Sequence, residues 1–123
     1  MTSQQAIDVF NALASDVRLP LFRLLVRHAP EGLVAGEIAA HLGQTHTNLS
    51  FHLKELVHVG LITREKEGRC VRYRADIPLM LETVAYLTDQ CCAGHPELCR
   101  RFRAASPVPQ GVLPDLPGVN GQG

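Results

Sequence analysis

The chain has 123 residues, 46% of them hydrophobic, a length that accommodates one domain with a core of modest size. Twelve basic side chains balance twelve acidic ones, which excludes a protein whose whole surface attracts nucleic acid. Because no apolar run is long enough to span a membrane and no charged leader precedes an apolar segment, we expect a soluble cytoplasmic protein without a membrane partner.

Helical spacing of apolar residues predicts two helices in the first part of the chain. The first covers residues 3–14 and needs an apolar partner in its own chain or in another subunit. Its apolar side carries Ala6, Ile7, Phe10, Leu13 and Ala14. Asp16 is expected to cap the second helix, residues 17–28, and Pro30-Glu31-Gly32 ends that helix.

The next two predicted helices form a helix-turn-helix. Residues 34–42 make a short amphipathic helix that Gly43 closes. Residues 46–59 make the following helix, with Thr45 as its N-cap and Gly60 as its stop. A tight turn containing glycine joins the two, as in a helix-turn-helix. The apolar stripe of the second helix comprises Leu49, Leu53, Leu56 and Val57.

A hairpin and one more helix follow. Residues 61–66 and 70–74 flank Glu67-Gly68-Arg69 and are typical of a two-stranded hairpin, the wing of a winged helix-turn-helix. A last helix opens at Asp76-Ile77-Pro78, and its apolar stripe continues to Cys91. From residue 104 to residue 123 the chain is rich in Pro and Gly, which predicts a flexible tail after a domain of residues 1–103.

Polar and basic residues concentrate on the predicted second helix and the wing. Residues 46–74 contain six Lys and Arg residues and three Glu residues, a net charge of plus three. A helix that carries short polar groups fits the DNA major groove. The predicted DNA contacts are His46, Thr47, Asn48, Ser50, Phe51, Lys54, Arg69 and Arg72. Arg64 and Arg74 are equally compatible with phosphate contacts and with an ordinary solvated surface.

Three of the four cysteines are clustered. Cys91 and Cys92 precede a Gly94-His95-Pro96 turn that can bring Cys99 back over them, whereas Cys70 lies alone on the wing. Thiolates bind thiophilic centres, and trivalent arsenic or antimony takes three sulfurs in a pyramid. Zinc would need a fourth ligand such as His95, and a disulfide switch through Cys99 is a third alternative.

The chain resembles the ArsR/SmtB family of bacterial metal-responsive repressors. The resemblance rests on Ala12-Leu13-Ala14-Ser15-Asp16-Val17-Arg18, on Leu49-Ser50-Phe51-His52-Leu53-Lys54-Glu55-Leu56, and on Gly60-Leu61-Ile62 followed by Glu67-Gly68-Arg69. It implies a mainly α fold with a small β-hairpin, a winged helix-turn-helix, and a homodimer formed through the first and last helices.

Residues 86–99, which contain the three clustered cysteines, look like the C-terminal cysteine cluster of one arsenic-sensing ArsR branch. Another branch carries its arsenic ligands before the recognition helix, where this chain has Val34, Ala35 and Gly36 without a cysteine. Zinc-sensing members carry Asp and His pairs on the last helix, where this chain offers only Asp76. The resemblance therefore implies that Cys91, Cys92 and Cys99 bind the effector.

These observations predict an arsenite-responsive repressor that binds double-stranded operator DNA at an inverted repeat and dissociates when As(III) binds. Antimonite and methylarsenite are alternative effectors of the same chemistry. The alternative function is a thiol redox or zinc/cadmium-responsive repressor of the same fold. An enzyme or an arsenic-sequestering protein is a third class, but no nucleophile with a base, paired carboxylates or phosphate loop supports enzymatic activity.

Overall fold

The computed structural model describes residues 1–109. Its helices are α1 (Ser3–Leu13), α2 (Arg18–Arg27), α3 (Ala35–Leu42), α4 (His46–His58), α5 (Ile77–Thr88) and α6 (Pro96–Ala105). Its strands are β1 (Leu33–Val34), β2 (Ile62–Glu67) and β3 (Cys70–Ala75), and a 3₁₀ turn covers Cys91–Gly94. This architecture confirms the predicted fold class. Most of the predicted tail lies outside the described residues, and its first two residues, Ala104 and Ala105, belong to α6.

The chain divides into two compact units, Met1–Met80 and the residues from Leu81 onward. The first unit contains a hydrophobic core made by α1 to α4, the start of the sheet and the first turn of α5. Burial of this apolar surface is the main favourable contribution to folding. The most completely buried large side chains are Leu21, Leu25, Ile38, Leu49, Leu56, Leu61 and Ile62.

The apolar residues of α1 are divided between the core and the surface. Ala6, Val9 and Ala12 face the core, whereas Ile7 and Phe10 are 47% and 42% exposed. The predicted apolar stripe therefore contains two large residues that the core does not cover. Small residues on the inner side allow α1 to pack closely, and the larger ones remain on the surface.

The N-terminus of α2 is capped by a different residue from the one predicted. The Ser15 hydroxyl accepts hydrogen bonds from the backbone N–H groups of Val17 and Arg18, at 3.2 and 3.1 Å. The prediction that Asp16 caps this helix was therefore wrong. Ser and Asp both suit this role, and because Ser15 and Asp16 are adjacent, the residue types alone do not show which of the two caps the helix.

The helix-turn-helix follows the sequence closely. Thr45 accepts a hydrogen bond from the Asn48 N–H at 3.2 Å, so this residue caps α4 as predicted. Gly43, at the end of α3, has a φ of +62°, a left-handed conformation that glycine adopts without strain. The predicted apolar stripe of α4 is buried through Leu49, Leu53 and Leu56.

The wing is part of a three-stranded antiparallel sheet with the order β1-β3-β2. The hairpin turn is shorter than predicted because Glu67 still pairs with Cys70, which leaves Gly68 and Arg69 at the turn. Strand β1 was not predicted. It pairs Leu33 with Tyr73, and thereby joins the wing to the segment that leads into α3.

The C-terminal part of the chain differs most from the prediction. Helix α5 ends at Thr88 and does not continue to Cys91, because Gln90 adopts a left-handed φ of 55°. A new helix, α6, then begins at Pro96, a residue that favours the first helical turn. None of the described helices is long and apolar enough to cross a membrane.

Candidate nucleic-acid interface and metal centre

A groove separates the N-terminal half of α4 from the wing. It has a volume of about 540 Å³, and its walls are formed by α3, α4 and the sheet. His46 and Ser50 line it from α4, while Arg64 and Arg69 line it from β2 and the hairpin turn. Polar groups on one wall and cations on the other provide the contacts that a phosphate backbone requires.

All the α4 residues predicted to contact DNA are exposed: His46, Thr47, Asn48, Ser50, Phe51 and Lys54. Phe51 differs from the rest in its surroundings. It is 56% exposed and lines a separate cavity of about 680 Å³, together with residues of α1 such as Gln5 and Asp8. The structure therefore separates Phe51 from the groove that holds His46 and Ser50.

The wing cations fall into two groups. Arg72 donates to both carboxylate oxygens of Glu67 at 3.0 Å and to the Gly32 carbonyl at 3.3 Å. Arg74 forms salt bridges with Glu65 at 2.6 Å and with Glu67 at 3.7 Å. Both side chains are thus paired with acidic residues of the wing, and the DNA contact predicted for Arg72 would require this guanidinium to exchange Glu67 for a phosphate.

The remaining basic residues of the wing are Arg64, Lys66 and Arg69. Within residues 1–109, no salt bridge involves Arg64, Lys66 or Arg69, and Lys66 and Arg69 are exposed. Lys66 was not among the predicted DNA contacts. Cross-strand pairing could have revealed the difference, because Arg72 and Arg74 lie on β3 opposite the Glu-bearing strand β2.

A polar contact links α4 to the first two helices. Arg18 makes a 2.9 Å hydrogen bond with His52 Nδ1 and donates through Nε to the Ala12 carbonyl at 2.7 Å. Partial burial, with the Arg18 charge, lowers the pKa of His52, while Asp16 and Glu55 act in the opposite direction. His52 is therefore neutral and accepts the Arg18 hydrogen bond. Sequence reasoning missed this pair because its members are 34 positions apart and no local pattern links them.

The structure brings the three clustered cysteines together. Their sulfur atoms all lie within 4.8 Å of one another, and those of Cys91 and Cys92 are 3.7 Å apart. Cys91 is exposed, Cys92 is half-buried and Cys99 is only 4% exposed. Cys70 is exposed on β3 and is not part of this cluster. One sulfur thus forms the floor of the cluster and another remains open to solvent.

The local backbone explains why three sulfurs can meet within nine residues. Cys92 and Ala93 follow Gln90 in left-handed conformations, with φ values of 59° and 50°. The His95 N–H donates to the Cys92 carbonyl at 2.9 Å and closes the turn. Helix α6 then places Cys99 in its first turns, where the Cys99 N–H donates to the His95 carbonyl. The reversal that the sequence predicted is therefore present.

The pKa values of Cys92 and Cys99 shift in opposite directions. A hydrogen bond with Cys91 raises the pKa of Cys92 to about 11, and burial and Cys99 act in the same direction. Burial raises the pKa of Cys99, but hydrogen bonds from the other two thiols and the charge of Arg103 outweigh it, so the pKa falls below its usual value. Of these two thiols, Cys99 therefore deprotonates more readily, and the thiolate is the form that binds metals.

The donor set fits a centre with three sulfur ligands. Among residues 1–109, no histidine, carboxylate or fourth cysteine joins the group of three sulfurs. His95, the fourth ligand considered for zinc, is exposed and outside that group. A closed structural zinc site uses four protein ligands, so the described residues provide one fewer than such a site needs.

Comparisons with known proteins agree with this architecture. A family model described as a helix-turn-helix domain matches residues 13–65. The chain is 39% identical over 89 residues to the HTH-type transcriptional regulator CmtR of Mycobacterium tuberculosis and of Mycobacterium bovis, covering 66% of this chain and 73% of the relative.

Solved structures show the same fold. The ArsR-like transcriptional regulator from Rhodococcus sp. RHA1 superposes with a TM-score of 0.62 at 26% identity, covering 83% of this chain and 90% of that one. HlyU from Vibrio cholerae N16961 superposes with a TM-score of 0.58 at 24% identity, covering 83% of this chain and 95% of that one. With the winged helix-turn-helix and the C-terminal cysteine cluster, these matches show that the chain is a DNA-binding transcriptional regulator of the ArsR/SmtB family.

Proposed function

We propose that the protein is a homodimeric repressor that binds operator DNA in its metalloid-free form and dissociates when Cys91, Cys92 and Cys99 bind As(III). The observation that carries this proposal is the group of three sulfurs within 4.8 Å, without a fourth protein ligand among residues 1–109. Trivalent arsenic bonds to three sulfurs and keeps a lone pair on its open side. A three-sulfur site therefore satisfies arsenite completely, whereas zinc would need a further donor.

The operator is bound by the exposed side of α4 and by the wing. Thr47 and Asn48 project from the first turn of α4 and are suited to base edges. His46 and Ser50 lie in the groove opposite Arg64 and Arg69, so a phosphate backbone seated there would contact both walls. We assign the wing phosphate contacts to Arg64, Lys66 and Arg69 and give Arg72 the role of holding the wing.

A second copy of the chain would cover the apolar residues left exposed on two helices. Ile7 and Phe10 project from α1, and Leu81 and Leu87 of α5 are 42% and 63% exposed. Large apolar side chains of this kind mark interaction surfaces. A two-fold dimer would present two α4 helices about one duplex turn apart, matching an inverted repeat.

Effector binding would act through the segment that joins α5 to α6. Gln90, Cys92 and Ala93 hold left-handed conformations, which cost non-glycine residues about 1–2 kcal/mol each. Bonding three sulfurs to one atom would rearrange these residues directly after α5. A difference of a few kcal/mol between the two protein states is enough to release DNA.

The first test measures DNA release by fluorescence anisotropy on a duplex selected from a random pool for tight binding. Arsenite is titrated into the complexes of wild type, Cys99→Ser and the matched control Cys70→Ser. We expect arsenite to release wild type and Cys70→Ser at the same concentration and to leave Cys99→Ser bound. Release of Cys99→Ser at the wild-type concentration would refute the three-sulfur site.

Other effectors give distinguishable results in the same assay. Methylarsenite has only two positions for sulfur, so it should still release Cys99→Ser through the remaining pair, and antimonite should behave like arsenite. Release by zinc that is lost in His95→Ala would favour the zinc-responsive alternative. Release by peroxide, with a disulfide found by mass spectrometry, would favour the redox alternative.

A further inference from the structure

Arg103 lies beside the thiol cluster without belonging to it. It follows Cys99 by one turn of α6, and its charge, after the hydrogen bonds of Cys91 and Cys92, lowers the pKa of the Cys99 thiol. Its Nε atom is buried and has no hydrogen-bond partner in the described part of the chain. The neighbouring Arg100 and Arg101 are exposed. Arg103 is thus the cation of α6 that acts on the sulfurs.

The net charge of the occupied cysteine cluster depends on the oxidation state of the atom that it binds. Arsenous acid, As(OH)₃, reacts with three thiols to form three As–S bonds and three water molecules, and the product is neutral. A divalent cation reacts with three thiols to form three M–S bonds and releases three protons, and the product carries one negative charge. In the second case alone, a negative charge remains on the sulfurs.

We propose that Arg103 determines effector selectivity and lets the cluster bind thiophilic divalent cations, with Cd(II) as the representative, in addition to As(III). The proposal rests on the function proposed above, in which this cluster holds the effector. A charge in a partly desolvated site is costly unless it is paired. The guanidinium of Arg103 supplies the counter-charge for the divalent complex, whereas the neutral arsenic complex does not need one.

The buried Nε atom of Arg103 also supports a role for this residue in binding divalent cations. A buried donor without an acceptor costs free energy, so an acceptor that reaches it is favoured. Sulfur atoms that carry the negative charge of a divalent complex are better acceptors than neutral thiols or arsenic-bound sulfurs. Binding of the divalent guest would therefore satisfy a donor that the described residues leave unpaired.

The test compares the affinities of Cd(II) and arsenite for the full-length protein without DNA. Sulfur-to-metal charge-transfer absorption reports binding, in competition with a chelator for Cd(II) and with a dithiol for arsenite. The variants are Arg103→Gln, Arg103→Met and Arg103→Lys, with Arg101→Gln as the matched control because it removes one charge from an exposed position of the same helix. All of them carry Cys70→Ser, and circular dichroism checks their helix content.

We expect Arg103→Gln and Arg103→Met to weaken Cd(II) binding about tenfold or more, which is about 1.4 kcal/mol, and to change arsenite binding by less than about threefold. Arg103→Lys should restore most of the Cd(II) affinity, and Arg101→Gln should match wild type. Equal losses of both affinities in Arg103→Gln and Arg103→Met would show that Arg103 only packs α6 and would overturn the proposal. So would unchanged affinities, or wild-type protein that fails to bind Cd(II).

The two proposals fail in different ways. If wild type does not bind arsenite through its thiols, the proposed function is wrong. If wild type binds arsenite and is released from DNA by it, but Arg103→Gln leaves the ratio of the two affinities unchanged, only the selectivity role of Arg103 is wrong.

Discussion

Replacing Gly32 by alanine should destabilise the attachment of the wing. Gly32 precedes β1 and has a φ of +72°, and a Cβ atom there would lie 2.1 Å from the Tyr73 carbonyl oxygen and 2.8 Å from Arg74 Cγ. The oxygen belongs to the backbone of β3, so a rotamer change cannot relieve the overlap. Either β1 separates from β3 or the wing shifts away from the new methyl group.

The magnitude follows from two effects. A left-handed conformation costs alanine about 1–2 kcal/mol relative to glycine, and forced overpacking adds about 1–3 kcal/mol. We therefore expect Gly32→Ala to lower the free energy of unfolding by about 2–5 kcal/mol. The Arg72 hydrogen bond to the Gly32 carbonyl would be disturbed as well, so DNA affinity should fall.

Two other glycines provide matched controls. Gly43 has a φ of +62°, but a Cβ atom added there would meet no atom within 4 Å, so Gly43→Ala should cost only the conformational contribution of about 1–2 kcal/mol. Gly36 lies in α3 with an ordinary φ and open space around it, so Gly36→Ala should stabilise the protein by about 0.5–1 kcal/mol. Urea unfolding at one protein concentration measures all three. Equal effects of Gly32→Ala and Gly43→Ala would refute the steric argument.

Three further predictions concern the core and α4. Thr45→Ala should cost about 1 kcal/mol and weaken DNA binding because the Asn48 N–H loses its acceptor, whereas Thr45→Ser should retain both; unchanged urea midpoints would contradict the capping role. Leu56 is completely buried, so Leu56→Ala should cost about 2–5 kcal/mol by urea unfolding, and a loss well below that range would mean that the site collapses around the cavity. The pKa of His52 is below its usual 6.5 in the folded protein, so its stabilising effect is fully present above about pH 6.5 and is lost as the pH falls from there through the lower folded-state pKa. Urea midpoints between about pH 5 and 8 should show this loss, and His52→Gln should reduce it; an identical pH profile in the variant would exclude His52 as its source.

Local signals were sufficient to predict the centre of the fold. Helix α4 combines a periodic apolar stripe with a Thr45 cap and a following glycine, so sequence and structure agree to within one residue. The hairpin was predicted from two alternating segments around Gly68. The thiol cluster was predicted for the same reason, because all three cysteines lie within one short reversal of the chain.

Contacts between distant residues could not be predicted. Strand β1 has only two residues and exists because Leu33 and Val34 pair with β3, about forty positions away. The Arg72 hydrogen bond to the Gly32 carbonyl joins the same two distant segments, whereas the Arg72 salt bridge with Glu67 lies within the hairpin and follows from cross-strand pairing. The end of α5 was missed because the apolar stripe continues past Thr88, while the left-handed conformation of Gln90 has no signature in residue type.

The thiol cluster and the groove between α4 and the wing come from separate parts of the sequence. Every sulfur of the cluster, together with Arg103, comes from thirteen successive positions, 91–103, whereas the groove between α4 and the wing is built entirely from residues before position 80. If the cluster binds the effector as proposed, substitutions within this stretch would change the effector preference and leave the residues of the groove unchanged. The same separation would allow that stretch to be exchanged in the design of a biosensor.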